Sequence, residues 1–394
     1  MIYEDSAVWA RAQDKADPGL RDEFIFPESG PLYFAGHSLG LQPRQARPYV
    51  LEVLDDWARH GVEGHFAAGK PWVKYQELLT GSTARLVGAQ PEEVVVMNTL
   101  SVNLHLMMVS FYRPRAGKFR ILIERGAFPS DQYAVASQAR FHGYPDAVLE
   151  SDDPLATLHE RGGEIALALI GLPNYLTGRV FDAPALVRAA HQAGAFIGFD
   201  LAHGVGNLLL SLHEWGPDFA AWCNYKYLNA GPGGLGGVFV HQRHSHAVLP
   251  RFEGWWGHDK EKRFEMPPRF AAIAGAEGWQ LSNPPVLQLA ALRASMELFD
   301  HAGMPALRTR GDKLTGYLEW LLRAFGVEVL TPPERGSMLT VRFARAQSLV
   351  AVLQKRGAIV DFRPPDIVRI APAPLYNSYS DVQALVALLR EVHG

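Results

Sequence analysis

The segments that decide the fold read FDLAHGVGN over residues 199–207 and WCNYKYLNAGPGG over residues 222–234. The first follows a short apolar run at residues 195–199, which predicts a buried strand with Asp200 at its carboxyl end. Open α/β sheets bind their ligands at the carboxyl ends of the strands. The second segment places Lys226 among aromatic residues and glycines. Together they predict a ligand site that contains a carboxylate and an amine.

Short apolar runs alternate with helical segments through the middle of the chain, and each run predicts a buried strand. The predicted strands cover residues 94–97, 119–123, 165–172, 195–199 and 237–240. A helix is predicted between the runs at residues 165–172 and 195–199, with Asp182 as its N-cap and Gly194 as its C-terminal cap. Strand, helix and strand in this order predict an α/β fold with a mostly parallel sheet and flanking helices.

The pattern changes after residue 285. Apolar residues recur at helical spacing from Val286 until Gly303, and strand-like stretches follow at residues 338–343 and 358–361. A last helix is predicted to start near Ser380, with Gln383 placed for a capping box. We therefore predict a large α/β domain at residues 51–290 and a smaller α+β domain formed by residues 1–50 and 291–394.

Composition excludes several classes of protein. A formal net charge of −3 provides no basic surface for nucleic acid or for an anionic membrane. The strongest apolar run, at residues 165–172, is too short to span a bilayer. The N-terminus lacks the pattern of a secretory signal, and the single cysteine, Cys223, excludes an intrachain disulfide. These features predict a protein of the cytoplasm.

Asp200 and Lys226 suit one cofactor in particular. A buried carboxylate needs a partner, and the protonated nitrogen of a pyridine ring is a suitable one. A poorly solvated lysine can attack an aldehyde and form a Schiff base. Taken singly, Asp200 could cap a turn and Lys226 could be a surface lysine. Asp-x-x-His at a strand end, followed by Tyr-Lys in a glycine-rich turn, favours pyridoxal phosphate.

Two other segments could complete a cofactor site. Residues 97–103, MNTLSVN, follow a predicted strand and lead into a helix, so their hydroxyl and backbone N–H groups could bind phosphate. Phe128 follows another strand and could stack on a planar ring. Simple helix capping and ordinary core packing are the alternatives for these residues.

These segments resemble the kynureninase family of fold-type I pyridoxal-phosphate enzymes, which implies that the mostly parallel sheet of the large domain is of the seven-stranded type. The resemblance covers most of the chain, and the segments around Lys226 and Arg369 are its most specific parts. The matching segments are residues 36–43, 69–73, 97–105, 128–131, 175–178, 199–237, 254–258, 282–285 and 369–378.

The resemblance implies a role for each matching residue. Lys226 would bind the cofactor covalently, Asp200 would pair with the ring nitrogen, and Tyr225 would take part in proton transfer. The remaining cofactor contacts would be Leu100, Ser101, Phe128, Pro129, Ser130, Asp131, His203, Trp255 and Asn283. Arg369 would bind the substrate α-carboxylate, with Ser38, His65, Trp72 and Asn283 as further substrate contacts. Trp255 and Asn283 would reach the site from the partner subunit of a homodimer whose active site lies at the subunit interface.

The implied reaction is hydrolysis of L-kynurenine, or of its 3-hydroxy form, to anthranilate or 3-hydroxyanthranilate and L-alanine. It would serve tryptophan catabolism or de novo NAD biosynthesis. His65 and Asn283 are both polar, which favours the hydroxylated substrate. Two positions depart from the family pattern: His37 stands where asparagine is usual, and Gly171 where many members have a small hydroxyl residue. Neither departure falls on Lys226, Asp200 or Arg369.

Other functions were weighed against this one. A class-V aminotransferase is the nearest alternative, and a non-catalytic binding module with the same fold is an alternative of another class. A cysteine desulfurase needs a nucleophilic cysteine on a mobile loop, whereas Cys223 lies in a predicted strand. A dinucleotide oxidoreductase needs a Gly-x-Gly-x-x-Gly turn that opens a helix after the first strand, and no such motif opens a helix there.

Overall fold

The computed structural model describes residues 6–393. The strands are β1 (Phe24–Ile25), β2 (Leu32–Tyr33), β3 (Gln42–Pro43), β4 (Val94–Val96), β5 (Arg120–Glu124), β6 (Val148–Ser151), β7 (Ile165–Gly171), β8 (Phe196–Asp200), β9 (Phe219–Cys223), β10 (Gly236–Val240), β11 (Glu328–Val329), β12 (Leu339–Arg342), β13 (Ala358–Ile359), β14 (Asp361–Arg363) and β15 (Ile367–Ile370). The helices are α1 (Ser6–Ala16), α2 (Ala46–His60), α3 (Gly64–Ala67), α4 (Glu77–Val87), α5 (Leu100–Phe111), α6 (Pro129–Phe141), α7 (Pro154–Arg161), α8 (Ala183–Gln192), α9 (Leu212–Trp215), α10 (Val286–Ala302), α11 (Met304–Ala324), α12 (Ala346–Lys355) and α13 (Tyr379–His393).

The main sheet has seven strands in the order β4-β10-β9-β8-β7-β5-β6. Strand β10 is antiparallel to both of its neighbours, β4 and β9. The other pairs, β5–β6, β5–β7, β7–β8 and β8–β9, are parallel. This confirms the predicted α/β class with a mostly parallel seven-stranded sheet. The parallel pairing brings the carboxyl ends of β5, β7 and β8 to one edge, which is where Asp200 lies.

Side chains alternate across this sheet. Ile170 belongs to one buried apolar cluster, whereas Leu169 belongs to a second cluster. Both faces are therefore covered by helices, as a parallel sheet requires. The predicted helix is α8: the Asp182 carboxylate accepts a hydrogen bond from Ala185 N at 2.9 Å, and Gly194 has a φ of +67°. Both predicted caps are confirmed.

Two strands of this sheet, β6 and β9, are absent from the predicted ranges, although Cys223 at the end of β9 is correctly expected to lie on a strand. Strand β6 is only partly buried, so it lacks a continuous apolar run. Strand β9 is fully buried, but its sequence FAAWC mixes alanines with a tryptophan and lacks the β-branched residues that mark a strand.

A second sheet has four strands in the order β11-β12-β15-β14, and α11, α12 and α13 pack with it around a separate apolar cluster. The predicted strand at residues 358–361 is wrong as one element. It divides at Val360 into β13, which pairs with β2, and β14, which pairs with β15. The predicted capping box at Ser380 and Gln383 is also wrong: Ser378 and Asp381 exchange side-chain-to-backbone hydrogen bonds of 2.9 and 3.0 Å.

The N-terminal segment contacts this second sheet and its helices. Helix α1 packs against α13, and β2 pairs in parallel with β13. Within residues 6–393, no helix combines the length and apolar character that crossing a membrane requires.

Candidate active site

A cavity of about 200 Å³ opens at the sheet edge where Glu124, Gly171 and Asp200 end β5, β7 and β8. The first turns of α5 and α6 and the segment after β9 complete its walls. It is lined by Thr99, Leu100, Ser101, Glu124, Phe128, Ser130, Asp131, Gly171, Pro173, Tyr175, Asp200, Ala202, His203, Tyr225 and Lys226. The structure thus brings all the predicted catalytic residues, and most of the predicted cofactor contacts, into one cavity.

One end of the cavity suits an anion. Helix α5 begins there at Leu100 and α6 at Pro129, and neither first turn has a side-chain cap. The backbone N–H groups of Leu100, Ser101 and Ser130 are therefore available to a ligand, whereas Pro129 has none and Asp131 N donates to the Phe128 carbonyl at 2.9 Å. The dipoles of both helices favour negative charge at this end. The hydroxyls of Ser101 and Ser130 lie 2.8 Å apart between them. This arrangement is that of a phosphate site.

Carboxyl groups lie together in another part of the cavity. Asp200 is 7% exposed and accepts a hydrogen bond from Ala202 N at 2.7 Å. Asp131, in the first turn of α6, is 5% exposed. Burial and the charge of Asp200 raise the pKa of Asp131 well above its ordinary value. A ligand group that carries a positive charge would relieve this crowding, as a protonated ring nitrogen does.

The walls of the cavity are aromatic, and one carries the amine. Lys226 Nζ lies 5.7 Å from the ring centroid of Phe128 and 5.9 Å from that of Tyr225. His203 is buried, and burial together with the charge of Lys226 lowers its pKa well below the ordinary value. His203 therefore presents a neutral ring. Burial also raises the pKa of the Tyr225 hydroxyl, so this group keeps its proton at neutral pH.

The residues present fit pyridoxal phosphate. The cofactor has a phosphate, a flat pyridine ring, a ring nitrogen that binds a proton and an aldehyde. The cavity offers two uncapped helix starts with hydroxyls, the aromatic ring of Phe128, the carboxylate of Asp200 and the amine of Lys226. Each part of the cofactor thus has a matching group.

Arg369 lies behind this cavity and not on its surface. It is 1% exposed, and its Nε and Nη1 atoms each donate a hydrogen bond of 2.6 Å, to Asp361 and to the Tyr175 carbonyl. Tyr175 does line the cavity, and its ring centroid is 5.7 Å from the guanidinium carbon of Arg369. The guanidinium therefore lies between Asp361 of β14 and Tyr175 of the cavity wall, and its Nη2 atom remains for a ligand.

Both departures from the family pattern lie next to predicted site residues or their partners. Gly171 pairs directly with Asp200 in the β7–β8 ladder. His37 is fully buried, with Nε2 3.9 Å from the Asp361 carboxylate and its ring 6.1 Å from that of His203. Burial lowers the pKa of His37 to about 4, so it is neutral at physiological pH.

The other predicted contacts lie elsewhere in the single chain. His65, Trp72 and Asn283 line a different pocket of about 420 Å³. Trp255 is 42% exposed and packs against Phe264. Ser38 is exposed, and Pro129 is the first residue of α6 without lining the cavity. The structure therefore does not bring these residues to Lys226 within one subunit.

Some residues of the cavity were not assigned by the sequence reasoning. Glu124 and Tyr175 are the most important, because one is a buried carboxyl group and the other contacts Arg369. Glu124 could have been found by the argument used for Asp200, since it also ends an apolar strand. Tyr175 lies in an irregular segment after β7, and the sequence there does not indicate which way its side chain points.

Comparisons with known proteins agree with this geometry. Residues 307–389 match the family model described as the kynureninase C-terminal domain. A kynureninase from Myxococcus xanthus is 59% identical over 416 aligned positions, covering 98% of this chain and 97% of the relative. A kynureninase from Xanthomonas campestris pv. campestris is 53% identical and covers 96% of both chains.

Solved structures show the same fold at low identity. A mutant of C-DES with glycine covalently linked to its pyridoxal phosphate cofactor superposes with a TM-score of 0.81 at 16% identity, covering 94% of this chain and 99% of the other. A cysteine desulfurase from Thermococcus onnurineus superposes with a TM-score of 0.79 at 16% identity, covering 95% and 97%.

Proposed function

This chain belongs to the kynureninase family, and on that premise we propose that it hydrolyses L-kynurenine or 3-hydroxy-L-kynurenine with pyridoxal phosphate held by Lys226. The products are anthranilate or 3-hydroxyanthranilate and L-alanine. The observation that carries the proposal is the single cavity that unites Lys226, Asp200 and two uncapped helix starts. An amine, a ring partner and a phosphate site in one place match this cofactor and no simpler ligand.

The reaction breaks the bond between Cβ and Cγ of the substrate. The oxygen of water becomes bonded to Cγ, which leaves as the aromatic carboxylate, and a proton is added to Cβ, which becomes the methyl group of alanine. Bound pyridoxal phosphate supplies an electron sink that stabilises negative charge on substrate carbon. Without such a sink the electrons of the broken bond have no acceptor.

Residues of this chain supply binding and proton transfer. Lys226 Nζ moves the proton of the substrate α-carbon, and Asp200 keeps a proton on the pyridine nitrogen. Tyr225 retains its hydroxyl proton and donates it toward Cβ, because its raised pKa excludes the phenolate at neutral pH. Phe128 and His203 hold the ring, while Arg369 binds the α-carboxylate. An aminotransferase would need a keto acid as second substrate, and the kynureninase relatives favour hydrolysis over that alternative.

The function is tested with purified enzyme, pyridoxal phosphate and each substrate separately. We expect fluorescent anthranilate or 3-hydroxyanthranilate together with equimolar alanine. A higher kcat/KM for 3-hydroxykynurenine supports recognition of the ring hydroxyl by His65 and Asn283. Absence of product from both substrates contradicts the proposed function.

We further propose that the active enzyme is a homodimer. Three exposed aromatic residues form a cluster on the surface: Trp255 packs against Phe264 at 5.4 Å, and Phe264 against Phe66 at 5.6 Å. Exposed aromatic clusters are typical of protein interfaces. A further apolar groove of about 570 Å³ includes Gly231 and Pro232 from the turn after Lys226. A second copy would bring Trp255 and Asn283 to the cavity, which no contact within one chain does.

Subunit mixing tests this arrangement. We expect Lys226→Ala and Trp255→Ala/Asn283→Ala to be inactive separately and to recover about a quarter of wild-type activity when unfolded and refolded together in equal amounts. Half of the randomly formed dimers are then hybrids, and each hybrid has one intact site. The measurement is kynurenine turnover after mixing, with each variant refolded alone as control. No recovery, although hybrids are shown to form, contradicts the shared site.

The compartment and the pathway belong to the same proposal. Cys223 is the only cysteine and is buried, which suits the reducing cytoplasm. Cleavage of kynurenine there would serve tryptophan catabolism or de novo NAD biosynthesis.

A further inference from the structure

Glu124 is a buried carboxyl group of the cavity to which the mechanism assigns no role. It ends β5, beside the ends of β7 and β8, and it is 3% exposed. Its side chain lines the same cavity as Asp200 and Lys226. A carboxyl group is seldom buried to this extent unless it is paired or functional.

The position of Glu124 depends on the absence of a side chain at residue 171. Glu124 Oε2 accepts a hydrogen bond from Gly171 N at 3.0 Å. A Cβ atom on Gly171 would lie 2.6 Å from Glu124 Oε1. Gly171 in turn is the direct neighbour of Asp200 across the ladder. The glycine thus lets the carboxyl group of Glu124 occupy the space beside Asp200.

Three carboxyl groups therefore share one cavity: Glu124, Asp131 and Asp200. The other titratable groups that line it are Tyr175, His203, Tyr225 and Lys226. Lys226 carries the only amine among them, and the lowered pKa of His203 keeps its ring neutral. Three buried negative charges facing one amine would repel one another strongly. Burial, aided by the charge of Asp200, raises the pKa of Glu124 to about 7.

We propose that Glu124 is a proton-carrying positioning residue of the cofactor site, which fills the space left by Gly171 and leaves Asp200 to carry the negative charge opposite the ring nitrogen. The inference rests on the proposed function, because it concerns the binding of pyridoxal phosphate. Its physical consequence concerns affinity. A ring bound in this cavity would exclude the remaining water from Glu124, and its positive charge would be paired with Asp200, so the neutral form of Glu124 would be favoured still further.

The direction of the pH effect follows from this. If the ligand raises the pKa of Glu124 above its value in the free protein, then the ligand binds the protonated protein more tightly. Affinity is then highest below the free-state value of about 7 and falls as the pH rises through it. Replacement of Glu124 by glutamine keeps a neutral acceptor for Gly171 N and removes this dependence.

The test compares wild type with Glu124→Gln in the binding of pyridoxine 5′-phosphate to the apoenzyme. This analogue has no aldehyde, so Lys226 chemistry does not contribute. We expect the ratio of the wild-type Kd to the variant Kd to rise by about tenfold between about pH 6.5 and about pH 8.5. Binding is measured by the quenching of tryptophan fluorescence. Glu93→Gln is the matched control, since Glu93 is also fully buried but lies outside the cavity, and its ratio should stay constant.

A second test addresses the pairing of residues 124 and 171. We expect Gly171→Ala to weaken binding of the analogue by about fivefold, and to have no further effect in a Glu124→Ala background. Gly163→Ala is the control, because a Cβ there meets no atom within 4 Å. If Glu124→Gln does not fold, Gly171→Ala takes its place in the pH comparison, since it displaces the same carboxyl group.

The outcomes separate this inference from the proposed function. If wild type binds neither pyridoxal phosphate nor the analogue, both are wrong. If wild type binds both ligands and hydrolyses kynurenine, but the Kd ratio is independent of pH or the effects at residues 124 and 171 are additive, then the assignment of Glu124 alone is overturned. A rising ratio together with non-additive effects supports it.

Discussion

Replacing Lys226 with alanine is expected to lower kcat/KM for kynurenine by about 10⁴-fold or more. The change removes both the covalent attachment of the cofactor and the base that moves the α-carbon proton, and no other cavity residue offers an amine. Cofactor binding itself should persist, because the phosphate site and Asp200 remain. Activity is measured by anthranilate fluorescence. Borohydride reduction should fix the cofactor on residue 226 in wild type and on no lysine in the variant. Peptide mass analysis locates the modified residue.

Lys355→Ala is the matched control, since Lys355 is exposed at the end of α12, far along the chain from the cavity segments. It should retain wild-type turnover and wild-type labelling of Lys226. Labelling of a different lysine in wild type, or turnover by Lys226→Ala within tenfold of wild type, would show that another group performs these tasks.

The fold was predictable where one local signal dominated. Strand β7 is a continuous apolar run, and α8 has an aspartate, a proline and a glycine at the positions that start and end a helix. The bounds of strand β9 were not predicted because its sequence contains two alanines and no β-branched residue, and its burial, with Trp222 fully enclosed, comes from tertiary packing. The division of residues 358–361 between two sheets depends on β2, which is more than 300 residues away in sequence. No local pattern contains that information.

The site was predictable for residues that end strands or begin helices. Asp200, Phe128 and Ser101 all occupy such positions, and parallel pairing brings strand ends together. Glu124 occupies the same kind of position, and it was missed because a single glutamate after an apolar run is usually solvated. Only the structure shows that Gly171 leaves room for it.

The remaining predicted contacts do not line the cavity in the chain that the structure describes. His65, Trp72 and Asn283 form a pocket with each other, while Lys226 lies in a separate cavity. Their chemistry suits an aromatic substrate, because Trp72 and the ring of His65 meet edge to face at 5.3 Å. In the proposed homodimer a second subunit would join this pocket to the cofactor cavity.

Arg369→Met is expected to lower kcat/KM for kynurenine by about 10³-fold, mainly through KM, because the positive charge and the Nη2 donor that would bind the α-carboxylate are both lost. Arg369→Lys keeps the charge without the planar fork and should lose about 10²-fold. The Kd for pyridoxal phosphate should change by less than about threefold in both, since Arg369 does not line the cofactor cavity.

The difficulty of this experiment is that Arg369 also has a structural partner. Its Nε donates to Asp361, so any loss of activity could come from an unpaired carboxylate. Arg363→Met resolves this, because Arg363 Nε donates to the same Asp361 oxygen at 2.9 Å but is more exposed than Arg369. We expect Arg363→Met to change kcat/KM by less than about fivefold. Equal losses in the two methionine variants would assign Arg369 to support of β14 and leave the substrate carboxylate to another group.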